Sequence, residues 1–183
     1  MESKTEQQRI EILLQAGGEM KAQFKIALAM LALAISVVAT QARAADVVGT
    51  WRMVSWSEEE TESKAGHAPF GDHPIGSLTY TADGHMMVIF ADPGRKPSAS
   101  PKPTEAEAAE LYRTMVAYSG TYSVEGDKIT HKIDVSWNQA WNGTSHSRFI
   151  EIKDNRLTIR TSPFVSPFLN KQIVATLIFE RVK

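Results

Sequence analysis

The sequence predicts an all-β domain: a closed antiparallel barrel of about eight strands, with one α-helix packed outside it or over a mouth. Three observations predict it. From residue 47 onward the chain is a succession of short β-type runs divided by turn residues. Several breaks are short enough for hairpins, so consecutive strands pair as a meander, and a meander of this length closes because closure removes exposed edges. Lastly, Gly49-Thr50-Trp51 opens the first strand and Arg181 lies near the end of the last. First and last strands are neighbours in a closed barrel, where a guanidinium can lie over the indole face and cap it.

The first strand is expected over Gly49–Glu58. A polar segment from Glu59 to Pro74 follows, broken by Gly66, Pro69, Gly71 and Pro74. Strands two and three are expected over Gly76–Thr81 and His85–Phe90, joined by the tight turn Ala82-Asp83-Gly84. A Pro-rich loop, Asp92 to Pro103, leads to the helix. Thr104 and Glu107 form a T-x-x-E capping box, and the run TEAEAAELYRTMVA has high helix propensity. Leu111, Met115 and Ala108 form the face expected to rest on the barrel. Strands four and five are expected over Tyr118–Val124 and Lys128–Ser136, then a loop with two tryptophans, Trp137 to Gly143. Strands six and seven, Thr144–Lys153 and Arg156–Thr161, flank the turn Asp154-Asn155. A connector, Ser162 to Asn170, precedes the eighth strand, Ile173–Val182.

The chain ahead of the barrel reads as an export signal. Lys21 and Lys25 precede an apolar run, Ile26 to Val38, and Ala42-Arg43-Ala44 is an A-x-A cleavage site. The run is short of the roughly 18–20 residues a membrane span needs. Residues 1–44 are therefore expected to be an N-terminal extension and signal peptide, with the start at Met20 and cleavage after Ala44. Residues 45–183 form the barrel domain. The mature protein is expected in the periplasm or secreted, and free of the membrane once the signal is removed.

The 183 residues carry a net charge of −1 and no cysteine. Thiolate catalysis, disulfides and a lipidated cysteine are excluded. Nothing in the charge balance or motifs marks a nucleic-acid partner. No nucleophile elbow, phosphate loop or H-E-x-x-H motif is present, and no cofactor or metal is expected. The acidic run Glu58, Glu59, Glu60 and Glu62 reads as a solvated edge, and His67, His73 and His85 as solvated loop or turn residues.

The segments VGTWRMVSW (Val48 to Trp56) and PIGSLTYTADGHM (Pro74 to Met86) carry a family resemblance. It continues through YSGTYSVEGDKITHKIDVSWNQAWNGTSHSRFIEI (Tyr118 to Ile152) and RLTIRTSPF (Arg156 to Phe164). In order and spacing the region resembles the lipocalin-like domain family of small bacterial and fungal proteins. The resemblance implies a calycin-type barrel and leaves the activity open. Because some fungal relatives accompany natural-product pathways, it also leaves room for cofactor-free cyclase or isomerase chemistry.

Alternation suggests the barrel lining. Ile129, His131, Ile133 and Val135 share one face of strand five. His146, Arg148, Ile150 and Ile152 share a face of strand six, with Phe149 opposite. Tyr118, Tyr122 and Val124 align on strand four, and Tyr80 with Leu78 on strand two. The candidate ligand-binding residues are therefore His131, His146, Arg148, Tyr118, Tyr122 and Tyr80. Arg148 suits a ligand carboxylate, or else an internal ion pair. His131 is the candidate catalytic acid or base, or else a hydrogen-bonded core histidine. Trp51 and Arg181 are the closure pair. The leading reading is an exported protein binding a small apolar or amphipathic molecule in its cavity. The alternatives are a cofactor-independent isomerase or cyclase in the same cavity, and a sealed barrel acting as an interaction module.

Overall fold

The computed structural model describes residues 46–183. The signal peptide, the start at Met20 and the cleavage point after Ala44 lie outside the described residues. Among the described residues there are ten strands: β1 (Gly49–Glu60), β2 (Gly66–His67), β3 (Ile75–Tyr80), β4 (His85–Ala91), β5 (Met115–Glu125), β6 (Lys128–Ser136), β7 (Ser145–Lys153), β8 (Arg156–Thr161), β9 (Phe164–Val165) and β10 (Gln172–Arg181). One α-helix, α1 (Glu105–Arg113), lies between β4 and β5, and a single 3-10 turn spans Gln139–Trp141.

Eight strands close in the order β1-β3-β4-β5-β6-β7-β8-β10 and back to β1, every neighbour antiparallel. The two-residue strands are extras: β2 folds back on β1 within the polar segment, and β9 pairs with β10 from the connector. The ring is completed by β1 and β10, with Trp51 opposite Arg181. There the Arg181 guanidinium carbon stands 4.1 Å from the Trp51 ring centroid. Its Nη1 donates to the Val48 carbonyl at 2.7 Å and its Nη2 to the Asp46 carbonyl. The indole N–H donates to the Val47 carbonyl at 2.8 Å. Gly49 makes the overlay possible: it sits at φ +133°, and a Cβ there would stand 2.9 Å from Arg181 Nη1.

Two β-bulges decide which side chains face inward. In β1, Met53 pairs with Phe179 but Ser55 with Ile178, so Val54 is an extra residue. Trp51 and Met53 point inward before the bulge; Trp56, Glu58 and Glu60 do so after it. The acidic run is thus not a solvated edge: Glu58 and Glu60 are buried on the inner face of a strand two residues longer than its sequence suggested. In β6, Gly120 pairs with Ile133 and Ser119 with Val135, leaving Asp134 extra. The slip turns Val135 outward, contrary to its place in the alternation, and it is 58% exposed. Gly120 allows the close approach, since a Cβ there would meet the Lys132 carbonyl oxygen at 2.0 Å.

The helix has its capping box, with Thr104 N donating to the Glu107 carboxylate at 2.8 Å and Thr104 Oγ1 accepting from Glu107 N at 3.3 Å. It ends at Arg113, earlier than its propensity alone suggests. Met115, Val116 and Ala117 instead pair with Ala91, Phe90 and Ile89 of β4. A ladder that buries Val116 outweighs the helix preference of those residues. None of the helix is buried; Leu111 is half-buried and Ala108 exposed. Among the described residues no helix is long and apolar enough to cross a membrane.

Inside, Trp56, Phe70, Phe90 and Phe168 form an edge-to-face aromatic cluster with centroid spacings of 4.9 to 6.5 Å. Phe168 comes from the connector, which therefore forms part of the barrel's filling.

Candidate functional site

Period-2 side-chain placement on four strands brings Tyr80 (β3), Tyr118 (β5), His131 (β6) and Arg148 (β7) together inside the barrel. His131 is 1% exposed. Its Nε2 is 2.7 Å from the Tyr80 hydroxyl, and its Nδ1 is 3.2 Å from both the Tyr118 hydroxyl and Arg148 Nη1. A guanidinium only donates, so Nδ1 is an acceptor and Nε2 carries the proton, donating to Tyr80. Burial, then the Arg148 charge, then His146 hold the His131 pKa well below the usual histidine range. Burial likewise raises both phenols, which remain protonated at neutral pH.

Arg148 is 8% exposed. Besides His131, its Nη1 donates to the His146 carbonyl at 3.0 Å. Among the described residues no carboxylate lies within ion-pair distance of it. Its guanidinium carbon is 5.9 Å from the Tyr118 ring centroid. Next to it on β7, Phe149 faces outward and is 49% exposed.

Arg148 lines two adjoining spaces. The inner one is a cavity of about 50 Å³ with Trp56, Glu58, Tyr118, Trp141 and Phe168 among its walls. The outer one is a groove of about 280 Å³ along the ends of β7 and β8, walled by Trp141, His146, Thr161, Pro163 and Phe164. Arg148, Trp141, Thr161 and Phe164 belong to both, so the groove leads to the cavity.

The six candidate binding residues therefore divide. Arg148 and Tyr118 line the inner cavity; Arg148 and His146 line the groove. His146 packs its ring 4.9 Å from that of Trp141 and shares a hydrogen bond with Thr144 at 2.8 Å. Burial, with Arg148 adding to it, lowers its pKa to about 4. His131 and Tyr80 line neither space and support Arg148 and Tyr118 from behind. Tyr122 packs its ring at a tilt against Tyr80, centroids 4.7 Å apart, and donates to the Thr81 carbonyl at 2.9 Å, away from both spaces.

Sequence reasoning passed over Glu58, Trp141 and Phe168. Glu58 shares its strand face with Trp56, two residues before it, and that spacing was the available signal. It is 1% exposed, and burial raises its pKa above the usual carboxylate value. Glu60, next inward-facing on β1, is paired instead, with Lys171 at 2.7 Å and with His67 at 2.9 Å. Those bonds and one from Ser63 hold its pKa down, at about 2. His67 is accordingly half-buried against Glu60 and not a free loop residue.

Compared with known families, residues 48–182 match the model of the lipocalin-like domain. Nothing among the curated proteins matches the chain.

Proposed function

The chain belongs to the lipocalin-like domain family, and from that premise we propose that it is an exported carrier of a small amphipathic acid. The ligand's carboxylate is held by Arg148, and its apolar body lies in the groove against Trp141, Phe164 and Pro163. One observation carries this reading. Arg148 is a nearly buried cation with no carboxylate partner, placed where the groove meets the interior cavity. An unpaired buried charge is costly, so such a site favours an anion that arrives from outside. Two further N–H-bearing nitrogens of the guanidinium remain for a carboxylate, the geometry at which arginine excels. An eight-strand barrel has an interior just wide enough for packed side chains or one small ligand. The inner cavity has room for a few atoms only, so the ligand enters by its polar end.

Carriage is favoured over catalysis because both ring nitrogens of His131, the best-placed acid–base group, already bond to protein partners. The charged, apolar and A-x-A order of residues 20–44 supports a carrier in the periplasm or outside the cell. Native mass spectrometry of protein purified from the cell envelope tests both halves. The expected result is a chain beginning at Ala45 with a bound acid of low mass. An uncleaved chain in the inner membrane would overturn the export reading, and protein that neither retains nor takes up any acid would overturn the carrier reading.

A further inference from the structure

Between β9 and β10 the connector makes a loop, residues 166–171, whose backbone bonds close on themselves. The Ser166 N–H donates to the Lys171 carbonyl at 2.9 Å, and the Asn170 N–H to the Ser166 carbonyl at 2.9 Å. The buried Ser166 hydroxyl oxygen accepts from the N–H groups of Phe168 at 3.3 Å and Leu169 at 3.4 Å. Pro167 stiffens the turn through its ring, and Asn170 takes a left-handed φ of +52° that asparagine tolerates. Among the described residues no backbone hydrogen bond joins residues 166–171 to another element. Their base is the two-residue pairing of β9 with β10. The loop is therefore a small rigid body on a short stalk, and it keeps its own hydrogen bonds when it moves.

Side chains hold this body down. Ser166 Oγ donates to Glu58 at 3.0 Å and Lys171 Nζ stands 2.7 Å from Glu60, both acceptors being inward positions of β1. Phe168, half-buried, sets its ring edge-to-face against Trp56 at 5.6 Å and Phe70 at 5.7 Å, and stacks on Trp137 at 6.5 Å. The ion pair is released at little cost: the Lys171 side chain is 59% exposed, and Glu60 keeps its bonds from Ser63 and His67. Pro167 and Phe168 wall the inner cavity together with Arg148. Lifting the loop removes that wall and leaves every strand of the ring paired.

We propose that residues 166–171 are a hinged plug of the barrel, turning on the β9–β10 stalk, with Phe168 as the stopper. Closed, the cavity holds a few atoms beside Arg148. Open, it gains the volume of a phenyl ring and meets solvent. Such an opening breaks few contacts, so it costs far less than unfolding the barrel. The plug is read from the loop and its latches alone and needs no ligand, so it stands or falls apart from the carrier reading.

Thiol labelling tests the inference. The chain has no cysteine, so a single introduced one reports on one place. Val116→Cys puts a thiol in the cavity wall, at a residue 3% exposed. Leu157→Cys puts one opposite Phe179, near the Trp51–Arg181 seam, at a residue 0% exposed that lines neither space. The mature chain is treated with methyl methanethiosulfonate at urea concentrations below the unfolding transition, and mass spectrometry follows the labelling. Where reclosing outpaces reaction, the rate reads the open fraction. The Val116→Cys thiol should label at a rate nearly flat in urea, because a lifted loop exposes little surface. The Leu157→Cys thiol should label at a rate that climbs steeply, because it waits for global unfolding. Phe168→Ala, added to Val116→Cys, should raise the rate about tenfold or more. Lys171→Met leaves every wall of the cavity in place and cuts one latch, so its expected rise of about two- to fivefold separates opening from mere enlargement. A Val116→Cys rate as steep in urea as that of Leu157→Cys would overturn the inference, and so would a flat rate that Lys171→Met leaves unchanged. Should Val116→Cys not fold, Ala175→Cys takes its place in the same wall, at a residue 2% exposed, and the same outcomes decide.

Discussion

Arg148 Nη1 and His131 Nδ1 stand 3.2 Å apart inside the barrel, a cation donating to a histidine that must remain neutral to accept it. The relationship fixes the imidazole tautomer and aims the remaining guanidinium nitrogens elsewhere. Nitrogen-15 NMR of the ring should show Nε2 protonated and Nδ1 bare throughout the range from pH 5 to 8. A proton on Nδ1 in that range would show that Arg148 is held by something other than His131.

The same pair sets a pH dependence. Both His131 and His146 titrate below the unfolded histidine value of 6.5, His146 at about 4. Between the folded and unfolded values the unfolded chain binds more protons, so stability is full above about 6.5 and falls as the pH drops below it. Urea midpoints at pH 7.5 and 5 should therefore differ, with the lower pH less stable, and His146→Gln should shrink the difference. A midpoint that rises on acidification would contradict the assignment.

His131 is a hub for three polar partners. His131→Leu leaves the Tyr80 and Tyr118 hydroxyls short of a partner, and it removes one acceptor from Arg148. The expected loss is about 2–4 kcal/mol in urea unfolding, several times that of an exposed substitution. A loss below about 0.5 kcal/mol would show the network to be incidental.

Arg181 closes the ring by one stacking contact and two backbone hydrogen bonds. Arg181→Ala should cost about 2–3 kcal/mol, and Arg181→Lys an intermediate amount because the charge remains and the planar fork does not. Arg52→Ala, which breaks only an exposed pair with Glu180 at 2.7 Å, should cost less than about 0.5 kcal/mol. Equal losses at the two positions would remove the closure role.

Glu58 makes the opposite pH signature to the histidines. Its folded pKa is raised, so from about 4.5 upward the folded state holds a proton that the unfolded state releases, and stability declines as the pH rises through the folded value. Glu58→Gln removes that decline. Its thermal midpoint relative to the wild type should climb between pH 5 and pH 8; a constant or falling difference would mean that Glu58 ionises freely.

Strand number, order and closure were legible in the sequence because alternation and turn chemistry repeat at every hairpin, and because Gly49, Trp51 and Arg181 mark the seam. Helix length was not, since Met115 to Ala117 favour a helix locally and a strand once β4 lies beside them. The site was legible where alternation is unbroken, as at His131, Arg148 and Tyr118. It was hidden where one extra residue reverses the faces. Val54 turns Glu58 inward and Asp134 turns Val135 outward, and neither bulge carries a local signal stronger than a parity mismatch between Trp51 and Trp56. Phe168 was hidden for another reason: it lies in a Pro-flanked connector whose backbone pairing, β9 against β10, is two residues long.

Whether Arg148 anchors an anionic ligand is decided by titrating 4-isopropylbenzoate and its amide into the wild type and Arg148→Met. Tyr118 still donates to His131 in the variant, so the fold is expected to persist, which circular dichroism checks. The wild type should prefer the acid by about tenfold or more, as for a charge-assisted hydrogen bond. The variant should bind both alike, with the affinity for the amide unchanged. An acid preference of equal size in Arg148→Met would show that Arg148 does not anchor the ligand.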